Sequence, residues 1–305
     1  MRYRPFGGGG RAVSNLTLSL GPAALQRGPE AARELIFSAL ENGINSYRLE
    51  TADPVLAEVV GDALQHLERK LLCISLALGA GDGRRGSERD FSAEALTAAI
   101  DRALNVSGLQ YVDIGLLMEP AEDELAQSSL NALKALRAAE RLKLLGVCGE
   151  GEVMDAYVST GAFDLLATPY HVNSPWQVKS RMRAAREQDM IIFAHGYFPD
   201  SLSTPRKAEA AHKPKKGLFG FGGGKAARPK SDPLAGVGTF AFLHRTQAWS
   251  AEEICLNYAL TDPAVASVVI EATDPERLEA LARTSERDMP PGLPAQIEMA
   301  RFAAA

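Results

Sequence analysis

At 305 residues, 46% hydrophobic and 23% charged, the chain can bury one large core, and a single domain of alternating strands and helices is the default at this size. No stretch approaches the roughly 20 apolar residues needed to span a bilayer, and Met1-Arg-Tyr-Arg-Pro leads into glycines rather than an apolar signal core, so a cytoplasmic protein is expected. The net charge of −5 is uneven: Pro205 to Lys230 carries eight basic residues against Glu209 alone, a charge of +7 that leaves −12 for the remainder. Cys73, Cys148 and Cys255 lie in apolar segments without metal-ligand spacing and read as small core residues in a reducing compartment.

Along the chain, Tyr3 to Gly10 and Ala12 to Ser14 have the glycine-rich turn and short flanks of a hairpin, able to plug the bottom of a barrel. Asn15 to Leu20 follows as a first strand. Ala32, Leu35, Ile36, Ala39 and Leu40 recur at helical spacing over 29–42, and Asn42-Gly43 closes that helix. The alternation continues with strands over 46–49, 71–78, 112–118, 144–147, 165–168, 190–193 and 266–270. Between and after them come helices over 55–67, 92–104, 124–139, 152–159, 175–188, 250–260 and 275–282, the last of these closing the pattern. The apolar rhythm stops between Pro199 and about Ala251. Residues 204–236 read as a disordered, basic, glycine-rich insertion whose glycines fit neither a phosphate loop nor a dinucleotide fingerprint. Val112 to Met118 is apolar throughout, as in a strand covered on both faces, and such strands belong to parallel sheets. Eight strand and helix alternations with short connections favour an α/β fold closed as a (β/α)8 TIM barrel over an open doubly wound sheet.

Several segments resemble aldo-keto reductases in order and spacing: Gly43-Ile-Asn45, Thr51-Ala-Asp53, Gly61-Asp-Ala-Leu64, Tyr111-Val-Asp113, Gly146-Val147, Pro169-Tyr170, Leu260-Thr-Asp-Pro-Ala264 and Ala272-Thr-Asp-Pro-Glu276. None is specific alone, but they are collinear over nearly the whole chain. The resemblance implies one barrel over 1–305 and, in an active member, an aspartate, tyrosine, lysine and histidine that reduce a carbonyl with hydride from a nicotinamide cofactor. The aspartate position falls on Arg48 or Glu50, the tyrosine position near Pro54 or Val55, the lysine position on Ala77 and the histidine position on Met118. The catalytic group is therefore absent, and those four degenerate positions leave no assigned catalytic residue. Tyr47 is the tyrosine close to the second barrel strand, and without a cation at Ala77 nothing would lower its pKa from about 10.

The resemblance also locates a cofactor pocket. Cys148 and Gly149 stand where the family has serine and asparagine, Ala167 stands for a glutamine, and the stacking aromatic falls near Ala194 or His195. At the adenosine end, Glu271, Ala272, Thr273, Asp274 and Arg277 match the loop and helix start that hold the ribose 2′-phosphate of NADP. Glu271 and Asp274 would repel that phosphate, so NAD(H) is expected and NADP(H) disfavoured; Arg277 could stack on adenine.

Taken together, the family pattern, the lost catalytic group, the basic insertion and the Ala304-Ala305 end resemble an oxidoreductase-like regulator of bacterial cell division. That resemblance implies an NAD(H)-responsive protein acting on the tubulin-like FtsZ and the histidine kinase DivJ, cytoplasmic and recruited to the division site. A terminal Arg301-Phe-Ala-Ala-Ala305 is a tail of the kind that ClpXP-type proteases accept. Nucleic acid is not expected as a partner. Two alternatives stay open: a working carbonyl reductase with a rearranged site built from Tyr47, Glu50 and His195, and an interaction module that binds no cofactor.

Overall fold

The structure is a computed structural model that describes residues 1–7, 10–81, 88–203 and 238–304. An antiparallel hairpin of β1 (Tyr3–Phe6) and β2 (Arg11–Ser14) comes first. Eight strands then close a parallel barrel: β3 (Leu16–Leu20), β4 (Ser46–Leu49), β5 (Cys73–Leu78), β6 (Val112–Met118), β7 (Leu142–Cys148), β8 (Leu165–Pro169), β9 (Ile191–His195) and β10 (Val265–Ile270), with β10 returning to pair with β3. The outer layer is α1 (Pro29–Glu41), α2 (Pro54–Leu64), α3 (Ala93–Ser107), α4 (Gln127–Ala138), α5 (Glu152–Ser159), α6 (Trp176–Glu187), the single turn α7 (Asp200–Ser203), α8 (Ala251–Thr261), α9 (Pro275–Thr284) and α10 (Leu293–Ala304).

Local chemistry explains why these helices start and stop where they do. Asp53 accepts hydrogen bonds from the amides of Val55 and Leu56 (2.9 and 3.3 Å), satisfying two donors that the first turn of α2 leaves orphaned, and Pro54 supplies a preset φ at the first helical position. Ser250 and Glu253 cap α8 reciprocally, the hydroxyl accepting from the Glu253 amide (3.2 Å) and the carboxylate from the Ser250 amide (2.7 Å). Gly61 is required by packing: a Cβ there would lie 2.1 Å from the carbonyl oxygen of Ser107, so α2 and α3 approach at a distance only glycine permits.

Strand alternation separates two cores. Outward side chains such as Leu18, Leu49, Ile74, Leu117 and Leu166 pack under the helices. Inward ones, including Ile114, Leu116, Leu165, Phe193 and Val269, fill the barrel. Phe6 and Val13 of the hairpin join the inner group, so β1 and β2 plug the bottom as expected. Asn45 fastens that plug, accepting from the Ser14 amide (2.8 Å) and donating to the carbonyls of Ala12 and Leu71 (3.1 and 3.0 Å).

Asp113 completes the bottom closure. Fully buried in β6, it accepts from Arg69 Nη2 (2.6 Å) and the Ile74 amide (2.7 Å) and is ion-paired to Arg11 Nη1 (2.8 Å). The Arg69 guanidinium also lies 3.9 Å from the centre of the Tyr111 ring. The Tyr111-Val-Asp113 segment is thus a structural tie at the end of the barrel remote from the strands' C-terminal mouth.

One expectation is corrected. The helical pattern does not end at Ala282: α10 follows, burying Leu293, Ile297 and Ala300, and Arg301 is anchored within it by Glu298 (3.0 Å), the Tyr258 hydroxyl (2.9 Å) and the Ser174 carbonyl (2.7 Å). Ala304 is the last residue of α10, and Ala305 lies outside the described residues. The basic glycine-rich insertion at 204–236 also lies outside them. Among the described residues no helix is long and apolar enough to cross a membrane.

Candidate functional site

The period of two along β4 decides what the barrel mouth contains. Ser46 faces inward, its hydroxyl accepting from Thr17 (2.8 Å), so Arg48 and Glu50 face inward above it while Tyr47 faces out. Tyr47 is fully buried in the outer layer and donates to the Ile44 carbonyl (2.9 Å). Burial there, with a smaller contribution from Tyr3, pushes its pKa far above the ordinary phenol value. A rearranged site of Tyr47, Glu50 and His195 is therefore not assembled: the tyrosine lies on the opposite side of the strand from the other two.

At the mouth, Arg48 is 7% exposed, and its Nε and Nη2 both lie 2.6 Å from Glu50 Oε1, which also accepts from the Ser19 hydroxyl. The third guanidinium nitrogen, Nη1, is buried with no partner among the described residues. Ala77 on β5 and Met118 on β6 take the neighbouring inward positions, Ala77 buried and Met118 half-buried against the inner core. Pro54 sits apart, as the first residue of α2, and Val55 is exposed beside it.

The other half of the mouth is Cys148, Ala167 and His195. Cys148 Sγ and His195 Nε2 are 3.5 Å apart, joined across the intervening strand, on which the buried Ala167 is in register with Cys148 and Pro169 with His195. Of the two candidates for the stacking aromatic, Ala194 is turned into the outer core and His195 into the mouth. Burial, reinforced by the positive charge of Arg48, lowers the His195 pKa to about 4. Burial likewise raises the Cys148 thiol to about 12, Arg48 opposing and Glu119 and Glu50 adding to the shift. Near neutrality the pair is thiol and neutral imidazole, neither an activated nucleophile nor a proton donor to a carbonyl. The mouth can hold a polar or anionic group against Arg48. Among the described residues the Tyr47 hydroxyl, directed to the Ile44 carbonyl, does not reach these inward positions.

The second group of predicted residues lies beyond β10. Asp274 caps α9, accepting from the Arg277 amide and the Thr273 hydroxyl (both 2.9 Å), and these bonds hold its carboxyl below the usual range. Glu271 and Thr273 are exposed and Ala272 is buried. Arg277 is ion-paired to Glu252, which also accepts from the buried Tyr197 hydroxyl (2.9 Å). The structure thus brings Glu271 to Arg277 together on one loop and helix start, and places Arg48, Glu50, Ala77, Met118, Cys148 and His195 together at the mouth.

Sequence reasoning missed three participants. Arg48 as the cation of the mouth was legible from alternation once Ser46 was known to face in. Glu252 and Tyr197, which fix Arg277, carry no signal in spacing. Among the described residues no group of three or more histidine, cysteine, aspartate or glutamate side chains could hold a metal ion.

Comparisons with known proteins agree with this architecture. A family model described as "Aldo/keto reductase family" matches residues 17–298. Among solved structures, aldo-keto reductase AKR11C1 from Bacillus halodurans (holo form) superposes with a TM-score of 0.76 at 19% identity, covering 98% of this chain and 96% of that one. No curated protein matches the chain.

Proposed function

The chain belongs to the aldo/keto reductase family, and we propose that within it this protein is a non-reducing member that binds NAD(H) as a regulatory ligand. One observation carries the reading. Among the described residues the inward positions of the mouth offer Arg48, Glu50, Ala77, Met118, Cys148 and His195, and no tyrosine hydroxyl reaches them.

The residues present fit a nicotinamide dinucleotide at both ends. The orphaned Nη1 of Arg48 is a donor that a carboxamide oxygen would satisfy, and the neutral His195 ring offers a flat face beside it. At the other end Glu271 and Asp274 offer acceptors to ribose hydroxyls, and the Asp274 charge is unfavourable for a 2′-phosphate. The cofactor would supply hydride chemistry when bound. Arg48 and Glu50 would orient it and exclude water beneath it, but no group at the mouth would deliver the proton that a reduced carbonyl needs.

As to role, the reading is a regulator of KidO type, acting in the cytoplasm at the division site on FtsZ and on the histidine kinase DivJ. What supports it is the degenerate mouth together with the +7 segment at 205–230 on an otherwise acidic chain. The test is to titrate the purified protein with NADH and NADPH by fluorescence, assay carbonyl turnover, and then measure co-sedimentation with FtsZ with and without NADH. NADH binding without turnover, and co-sedimentation that NADH alters, are the expected results. Turnover of any aldehyde or ketone, or NADH-independent behaviour throughout, overturns the proposal.

A further inference from the structure

The three most exposed large apolar side chains of the described residues lie on α6 and α10: Phe302 at 82%, Trp176 at 71% and Met299 at 66%. Met299 and Phe302 are three residues apart on α10, on the face opposite Ile297 and Ala300, and Trp176 opens α6 across a groove from Phe302. Between the two helices runs a groove of about 640 Å³ that has Trp176 and Phe302 on its walls. Single exposed apolar residues need no explanation, but a concave cluster of this kind marks a binding surface.

Charge defines what the groove would take. Trp176, Lys179, Arg183 and Arg186 fall at intervals of three, four and three along α6, which places them on one stripe. Arg183 and Arg186 have no acidic partner among the described residues, and Lys179 shares Glu298 with Arg301 (3.1 and 3.0 Å). Glu298 is thereby spent inside the protein: burial opposes its ionisation, but bonds from Tyr258, Lys179 and Arg301 hold its pKa below the usual range. A second groove lined by Lys179, Arg183 and Arg186 continues the stripe; Glu187 and Asp262 also line it, so the cationic character belongs to the stripe rather than to the whole groove. The α6 stripe of Lys179, Arg183 and Arg186 is itself cationic, with Trp176 at its apolar end, on a chain whose net charge is −5.

We infer that the groove between α6 and α10 docks a short acidic segment of another protein that carries an aromatic or aliphatic anchor. The anchor fills the space between Trp176 and Phe302, and the acidic side chains run along Lys179, Arg183 and Arg186. From Trp176 to Arg186 the helix rises about 15 Å, the span of about five residues of extended chain. Like charge argues against the chain's own basic segment at 205–230 as the occupant, and against a second copy meeting the same basic stripe. Concavity argues against a flat bilayer. This surface is separate from the barrel mouth, and the inference does not rest on cofactor binding.

The test uses the full chain and a fluorescein-labelled peptide of about ten residues, aspartate and glutamate flanking a Leu-Phe pair, read by anisotropy. A matched peptide with lysine for each acid and an acidic peptide without the Leu-Phe pair are the controls. Only the first should bind saturably, weakening about tenfold or more as salt brings the Debye length from about 10 Å to about 3 Å. Trp176→Ala and Phe302→Ala should each weaken binding at least about fivefold, and Arg183→Glu about tenfold, with melting temperatures unchanged because all three side chains are exposed. Equal binding by the variants, or no preference for the acidic peptide, overturns the inference. So does co-sedimentation with phosphatidylserine vesicles that the variants lose while no peptide binds, which would make the surface a membrane contact. A dimer at assay concentration that Trp176→Ala dissociates, again without peptide binding, would make a second copy the occupant and overturn it as well.

Discussion

Arg48 and Glu50 stand two residues apart on the inward face at the end of β4, with Arg48 Nε 2.6 Å from Glu50 Oε1, and this ion pair occupies the mouth of the barrel. The pair joins a guanidinium that is nine-tenths buried to a carboxylate that is a quarter exposed. Breaking such a pair by removing one member leaves a buried charge without compensation, which costs more than the pair contributes. Glu50→Ala should therefore lower stability by about 3 kcal/mol, whereas replacing both residues, Arg48→Met with Glu50→Leu, should recover most of that loss. Urea denaturation of the two variants decides it: equal destabilisation by both would show that packing, not charge compensation, governs the mouth.

Tyr47 is expected to matter to the fold and not to chemistry. Its hydroxyl satisfies the Ile44 carbonyl in a dry outer layer, so Tyr47→Phe leaves a buried acceptor unpaired and should cost about 1 kcal/mol. Installing Ala77→Lys and Met118→His together should not create carbonyl turnover, since no phenol would stand beside the new lysine. An NADH-consuming activity in that double variant, lost on adding Tyr47→Phe, would show that β4 can rotate to present its other face.

Much of this was legible from the chain alone, for definite physical reasons. The barrel follows from apolar strands alternating with helices whose caps are written locally, as with Asp53-Pro54 and Ser250 with Glu253. The hairpin plug followed from its glycine turn, and the strand bounds agreed within a few residues. Side-chain direction was harder: Tyr47 is the nearest tyrosine in sequence, yet a one-residue step turns it to the far side of the sheet. α10 was missed because Pro290 and Pro291 interrupt its approach, Pro294 stands in its first turn, and its large apolar contacts, Leu293 and Ile297, are few. Contacts such as Arg277 with Glu252 and Cys148 with His195 arise only when the barrel closes, and spacing along the chain does not encode them.

At the bottom of the barrel, Asp113 should prove one of the most costly single positions to alter. It is fully buried between Arg11 and Arg69 and also accepts the Ile74 amide. Asp113→Ala would leave two guanidinium groups facing each other without an anion and is expected to destabilise by about 3 to 5 kcal/mol, loosening the hairpin first. Hydrogen exchange should show protection lost in β1 and β2 before β6; a uniform loss across the barrel would contradict the assignment of Asp113 as the hairpin's tie.

The pH dependence of stability should carry the mark of His195. Burial and the Arg48 charge lower its folded-state pKa to about 4, against an unfolded value near 6.5, so the folded protein binds this proton less readily than the unfolded chain. Stability should then fall as pH drops from about 6.5 towards about 4 and be independent of this group above that window. His171, lowered by burial and by Arg301, adds a contribution of the same sign. His195→Gln should flatten the decline without abolishing it. An identical acid decline in the variant would assign the whole effect to other groups.

The adenosine end yields the sharpest separation of two roles in one residue. Asp274 both caps α9 and places a fixed negative charge where the family reading sets the ribose 2′-substituent. Removing it with alanine would confound a frayed helix with a lost charge. Serine keeps an oxygen able to accept from the Arg277 amide while discarding the charge, so Asp274→Ser should preserve the melting temperature. The wild-type protein is expected to bind NADH more tightly than NADPH, because a carboxylate held ionised by its hydrogen bonds opposes a dianionic phosphate. In Asp274→Ser the preference should narrow, and the difference from the wild type should be largest at low salt, where the repulsion in the wild type is least screened. Arg277 is kept by Glu252 and would not be released to the phosphate by this change. Fluorescence titration of both proteins with both cofactors checks each step. Tighter NADPH binding by the wild type would mean that the 2′-position faces residues other than Asp274, and an unchanged preference in the serine variant would move the discrimination to Glu271.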